Sequence, residues 1–138
     1  MSDWDKFWQD FFTYSGRLSR RRFNKHMRKV FLPFLILFVA KFLIVDVFEL
    51  SARLPHLVTA IELTTIFASL VFILCIFIFT PRRLHDLGKS GWWNVLLIMM
   101  TFSRAPFSDL LMFIFCFWIG NKDGEPGKNK YGDPPPDD

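Results

Sequence analysis

Apolar positions in this chain gather into runs separated by short charged stretches. Val30–Val47 is the first run, Leu57–Thr80 the second, and Trp92–Ile119 the third, which S-R-A-P-F-S-D interrupts at residues 103–109. Such runs read as bilayer-spanning helices, because a half-buried helix or strand would alternate apolar with polar positions at its own period. The first run, taken as a helix, reaches ~27 Å, enough for a hydrocarbon core. The third, as one helix, would reach ~42 Å and hold Arg104, Pro106 and Asp109 near its middle. Two short spans at about 92–103 and 107–119 put those residues in an outer loop, and this hairpin is the preferred reading over a single long helix. Pro81 is expected to stop the second span, and Pro33 to lie in the first turn of the first.

Ahead of the first run, Trp4, Phe7, Trp8, Phe11 and Phe12 recur at the helical period, with Asp3, Asp5, Lys6 and Asp10 opposite. Ser2 and Asp5 have capping-box spacing, so a helix is expected from the start, ending near Gly16. It either lies along the membrane surface or packs on the protein's own cytoplasmic side. Ser19 is placed to cap the next helix.

Charge adds a direction. Seven Lys and Arg fall between Arg17 and Lys29, directly before the first run, and Arg82, Arg83 and Lys89 lie between the second and third. Cytoplasmic flanks carry such an excess, so both stretches and both termini are expected on the cytoplasmic side. The stretch Arg82–Trp93, R-R-L-H-D-L-G-K-S-G-W-W, is expected to be the cytoplasmic turn, with Gly88 and Gly91 reversing the chain. Trp92 and Trp93 are expected as interfacial anchors, together with Trp4, Trp8 and Trp118. Asp46–His56 reads as an outer loop.

Composition supports the same picture: 51% of the 138 residues are hydrophobic and 18 are Phe. No cleavable leader is expected, since charges run through the first thirty residues. Cys75 and Cys116 both lie in apolar runs, where a thiol behaves as a small hydrophobe, and no disulfide is expected. Nucleic acid is not an expected partner, because the basic cluster abuts an apolar span; attraction to anionic lipid accounts for it.

Catalytic constellations are not legible. G-K-S at 88–90 lacks the earlier glycine of a phosphate-binding loop, the position being Arg83. His26, His56 and His85 are scattered, and no metal or other cofactor is expected. His85-Asp86 reads as a capping or loop pair. Within the runs, Lys41 either snorkels to the outer interface or pairs with a carboxylate such as Glu62.

G-R-L-S-R-R-R-F at 16–23, the central stretch at 82–93 and G-K-N-K-Y-G-D-P at 127–134 resemble, in that order around hydrophobic spans, the YhaH-like family of small bacterial inner-membrane proteins. The resemblance covers roughly residues 10–135. It implies a bacterial plasma membrane and several spans, and brings no assigned catalysis, cofactor or ligand.

The expected architecture is therefore all-α: an integral membrane helical bundle of four transmembrane helices, the last two a short hairpin, with an N-terminal amphipathic interfacial helix. Residues 1–29 form the cytoplasmic amphipathic helix and basic segment. Residues 30–119 form the transmembrane domain, with spans at about 30–47, 57–80, 92–103 and 107–119. Residues 120–138 form a polar Gly/Pro-rich cytoplasmic tail. Arg17, Arg20, Arg82, Arg83, His85, Asp86, Lys89, Asn129 and Tyr131 are the candidates for a structural cytoplasmic knot or an anionic-lipid site. The expected function is non-enzymatic: a structural, lipid- or partner-binding membrane protein, with membrane lipids and a homo-oligomeric or other membrane-protein partner as associates. The alternative is a small transporter or channel component using Lys41, Glu62, Arg104 and Asp109.

Overall fold

The computed structural model describes residues 2–47, 54–102 and 108–135. Among them every regular element is a helix: α1 (Asp3–Phe11), α2 (Arg20–Lys41, continued by a π-helical stretch Phe42–Val47), α3 (Pro55–Asp86), α4 (Trp93–Phe102) and α5 (Ser108–Asn121). An isolated antiparallel bridge joins Asn129 to Gly132.

α1 opens with the capping box that its sequence offers. Asp5 N donates to Ser2 Oγ at 3.1 Å and Ser2 N to Asp5 Oδ2 at 2.7 Å, so two N–H groups without helical partners are satisfied reciprocally. The helix ends at Phe11, short of Gly16. Gly16 instead takes φ +89° in the link to α2, where Ser19 Oγ accepts from Arg22 N at 3.3 Å.

Two prolines lie where the sequence expectation did not put them. α2 begins at Arg20, so the basic stretch is helical and continuous with the apolar run, and Pro33 lies in the helix interior and not in a first turn. α3 runs straight through Pro81 to Asp86, so Pro81 does not stop it. A proline inside a helix takes the partner from the carbonyl four residues back, here Phe77. Asn94 Nδ2 reaches that carbonyl at 3.5 Å, a side-chain donor in place of the missing N–H. The reversal is thereby confined to Leu87–Trp92. Gly88 at φ +67° makes it possible: Lys89 N bonds back to Leu84 O at 2.8 Å and Gly88 N to His85 O at 3.1 Å, the paired bonds of a Schellman stop.

The third run is two helices, α4 and α5, which pack on each other. The α5 helix extends through Gly120 and Asn121, which the sequence had assigned to the tail. Asp46 belongs to the π-helical stretch and Pro55–His56 to α3, so the link between the two helices is shorter than the loop expected at Asp46–His56. Arg104 and the side chain of Asp109, with most of the expected outer loop at 103–109, lie outside the described residues. Among the described residues, α3 is the one helix long and apolar enough to cross a membrane.

The chain divides into two units. In Met27–Cys75, Phe34 stacks flat on Phe72 at 4.8 Å and 4°, with Phe31 tilted against the same ring at 6.2 Å. Thr65 returns its hydroxyl to Ile61 O at 2.7 Å, which removes a polar atom from the apolar helix surface. Among the described residues no ion pair joins Lys41 to Glu62, and Glu62 is exposed. Met1–His26 with Ile76–Asp138 forms the other unit, whose apolar core includes Phe7, Leu18, Phe23, Phe79, Leu84 and Ile119. Many large apolar side chains remain exposed. Leu63, Phe67, Leu70 and Leu74 line one side of α3, and Ile114 and Phe117 project from α5. So much uncovered apolar surface is unusual for a chain facing only water.

Candidate functional site

Arg82, Arg83 and Asp86 sit in the last turns of α3, beyond its apolar stretch at 57–80. Helical spacing puts Arg83 and Asp86 on one face and turns Arg82 about 100° away. Two networks result, both within the unit formed by the N-terminal segment and Ile76 onward.

The first is centred on Asp86. Arg17 donates through Nε to Asp86 Oδ1 at 3.0 Å, and Arg83 donates through a terminal nitrogen to Oδ2. One carboxylate is thus shared by two guanidiniums, and all three side chains are buried. The surplus positive charge meets main-chain carbonyls. Arg17 donates to the carbonyls of Glu125 and Gly127; Arg83 donates to those of Lys122 and, at 2.9 Å, Ile119. The Asp86 carbonyl accepts from Glu125 N at 2.8 Å. A buried charge is tolerable when its hydrogen-bonding capacity is filled this way. Gly124 packs against Asp86 so closely that a Cβ there would overlap the carboxylate.

The second is centred on Asp10, on α1. Arg82 donates to Asp10 O at 2.8 Å and to Asp10 Oδ1 at 3.2 Å, while His26 Nε2 meets Oδ2 at 2.7 Å. The His26 ring is held by Phe79 at 5.0 Å and the edge of Phe7 at 5.2 Å. Burial pushes the Asp10 carboxyl up, but the His26 hydrogen bond and the Arg82 guanidinium more than offset this and hold it below the ordinary carboxylate range. Burial lowers the Arg83 guanidinium, opposed by Asp86.

His85 joins the turn to the tail. Its ring stacks on Tyr131 at 3.9 Å and 9°, its Nδ1 faces Gly16 O at 3.3 Å, and its carbonyl accepts from Asn129 Nδ2 at 3.0 Å. Asn129 Oδ1 accepts from Tyr131 N at 2.9 Å, which shapes the tail's tight turn. Burial lowers the His85 imidazole, helped by the charges of Lys130 and Arg82, and the Gly16 carbonyl only partly opposes this.

Of the residues singled out from sequence, Arg17, Arg82, Arg83, His85, Asp86, Asn129 and Tyr131 come together here. Arg82 turns to α1 and not to the tail. Arg20 stands outside, half exposed and paired with Asp123 at 2.7 Å, and Lys89 is exposed. The five tryptophans expected as interfacial anchors are all exposed, from Trp118 at 41% to Trp92 at 79%. Sequence reasoning missed Asp10 and His26. Each follows a buried aromatic by three residues, Phe7 and Phe23, and so shares its helix's inner face. It also missed Asn94.

Two clefts open beside these networks. One, of about 560 Å³, is lined by Arg17, Ser19, Arg20, Arg21, Asp123 and Glu125 among others. The other, of about 470 Å³, lies between the end of α3, the start of α4 and Tyr131. Among the described residues, no three His, Cys, Asp or Glu side chains gather at metal-binding distance. The arrangement fixes chain segments to one another.

A family model described as a protein of unknown function (DUF805) matches residues 11–133, which takes in the whole Asp86 network and, of the second, Arg82 and His26 but not Asp10. No curated protein and no solved structure matches the chain.

Proposed function

We propose, for a chain that belongs to the DUF805 family of proteins of unknown function, a non-enzymatic role as a membrane scaffold that offers a rigid, basic cytoplasmic platform to anionic lipid or to a membrane-protein partner, a second copy included. Four spans carry the platform, the last two a short hairpin, and both termini lie in the cytoplasm. The YhaH-like designation and a bacterial inner-membrane location belong to this reading. The observation that carries it is the burial of Arg17, Arg82 and Arg83 on internal partners, which locks α1, the end of α3 and the tail into one body and leaves Arg20, Arg21 and Lys89 at its surface. Buried guanidiniums build; surface ones bind. The exposed apolar sides of α3 and α5 support the spans. No observation favours a transport path through Lys41, Glu62, Arg104 and Asp109.

The test combines alkaline extraction of membranes with native mass spectrometry of the purified protein. The protein should stay with the membrane, and Ser2→Cys and Lys128→Cys should label only once the cytoplasmic side is accessible. Arg20→Gln/Arg21→Gln should lose retained anionic lipid or partner at unchanged stability, whereas Arg83→Gln should lose stability. Release by alkali, or identical retained masses in the surface variant, overturns the reading.

A further inference from the structure

The second cleft lies where α3 ends and α4 begins, and its walls are largely aromatic and apolar: Phe77, Pro81, Trp92 and the stacked His85–Tyr131 pair. Into this setting the chain puts Asn94, only 4% exposed, whose Oδ1 has no hydrogen-bond partner in the protein. The amide cannot be turned round to hide that atom. Its Nδ2 faces the Phe77 carbonyl, which Pro81 deprives of a helical donor, and a carbonyl accepts only from the NH₂ side. A buried acceptor without a donor is costly, so it marks a site that expects one.

His85 repeats the pattern. With Nδ1 against the Gly16 carbonyl, that nitrogen must carry the proton, and the neutral ring leaves Nε2 as an acceptor. The Nε2 edge lies beside Gly91, another wall of the cleft, 3.1 Å from where a Cβ would stand. Ser90 adds a hydroxyl. The cleft therefore asks for a ligand rich in hydrogen-bond donors. An ammonium group would satisfy the acceptors, but no carboxylate lines the cleft to balance its charge. Neutral hydroxyls fit. Around the rim the charge is positive: Lys130 Nζ stands 4.9 Å above the Tyr131 ring, and exposed Lys89 immediately precedes Ser90. That rim suits a phosphate next to the hydroxyls.

We propose that this cleft holds a glycerol-phosphate headgroup, its hydroxyls donating to Asn94 Oδ1 and His85 Nε2 and its phosphate facing Lys130 and Lys89. The headgroup is that of a membrane lipid, because the cleft adjoins the exposed tryptophans Trp92 and Trp93 at the start of the apolar helix α4. The assignment rests on the membrane reading given above.

The experiment uses the full-length protein in mild detergent and counts bound molecules by native mass spectrometry. Phosphatidylglycerol, phosphatidic acid and soluble glycerol 3-phosphate are each added to wild type, Asn94→Leu and Trp92→Ala. Wild type should hold phosphatidylglycerol about tenfold more tightly than phosphatidic acid, the scale of one or two net hydrogen bonds. Asn94→Leu should lose that preference; because it also takes the donor from the Phe77 carbonyl, its unfolding midpoint is measured alongside, and the exposed Trp92→Ala serves as the variant that leaves the fold unchanged. Trp92→Ala changes a largely exposed side chain and should weaken retention as well. Equal binding of the two lipids by wild type, or an undiminished preference in both variants, overturns the proposal. Glycerol 3-phosphate bound as tightly as phosphatidylglycerol moves the source from lipid to solute and overturns the lipid assignment. Release of wild type from membranes by alkali sinks the membrane reading and this proposal with it; a membrane-held protein without headgroup preference sinks the proposal alone.

Discussion

Arg17 and Asp86, 69 residues apart in sequence, meet through a hydrogen bond of 3.0 Å with both side chains buried. Because Arg83 uses the other oxygen of the same carboxylate, removing Asp86 strands two guanidiniums at once. Asp86→Ala should cost about 3–5 kcal/mol, the scale for leaving a buried charge without its partner. Denaturant titration in detergent measures it. A loss below about 1 kcal/mol would mean that the tail carbonyls alone satisfy both cations.

Asp10 makes acid stability a test of the second network. Its folded pKa lies below the unfolded one, so the carboxylate contributes stability above the ordinary carboxylate pKa and gives it up as pH falls toward the folded value. Wild type should therefore lose more stability than Asp10→Asn between about pH 5 and about pH 3. Parallel acid profiles for the two proteins would remove Asp10 as the group responsible.

Pro81 and Asn94 should behave as a coupled pair. Pro81→Ala returns a donor to Phe77 O and so removes the reason for Asn94 Nδ2 to be there. A double-mutant cycle with Asn94→Leu should give an interaction energy of at least about 0.5 kcal/mol. Strict additivity would show that the carbonyl and the amide act independently.

Gly88 and Gly127 separate backbone strain from crowding. Both have positive φ, +67° and +78°, but a Cβ at Gly88 would overlap the Glu125 carboxylate and one at Gly127 meets nothing within 4 Å. Gly127→Ala should cost about 1–2 kcal/mol, the left-handed penalty alone. Gly88→Ala should cost more, since Glu125 must also move from its 2.9 Å bond with Asn129. Equal losses would assign the whole effect to φ.

The legible parts of this protein were those set by local chemistry. The aromatic period and the Ser2–Asp5 capping box mark α1, and the charged break at 103–109 divides the third run into α4 and α5. Clustered charge around Arg82–Asp86 pointed to the network, though not to who pairs with whom. Arg82 finds Asp10 72 residues away and His26 finds it 16 away, distances at which neither period nor spacing carries information. Pro81 was misread because a proline ordinarily ends a helix, and the side chain that lets α3 continue lies on α4. Asn94 carries no signal of its own in the sequence, being one polar residue within the third apolar run. Its burial and its bare oxygen are properties of the fold.

Arg17 and Arg83 hold the tail by its carbonyls, from Ile119 to Gly127, and not by its side chains. A ribosome makes Arg17 early and Arg83 midway, yet neither has its full set of acceptors until the segment after α5 has emerged. Until then Asp86 answers both cations without the carbonyls that close the finished interior. The network thus works as a seal of completion: a chain broken off before Glu125 advertises its own incompleteness to the cell's proteases, whatever the side chains of the missing tail would have been.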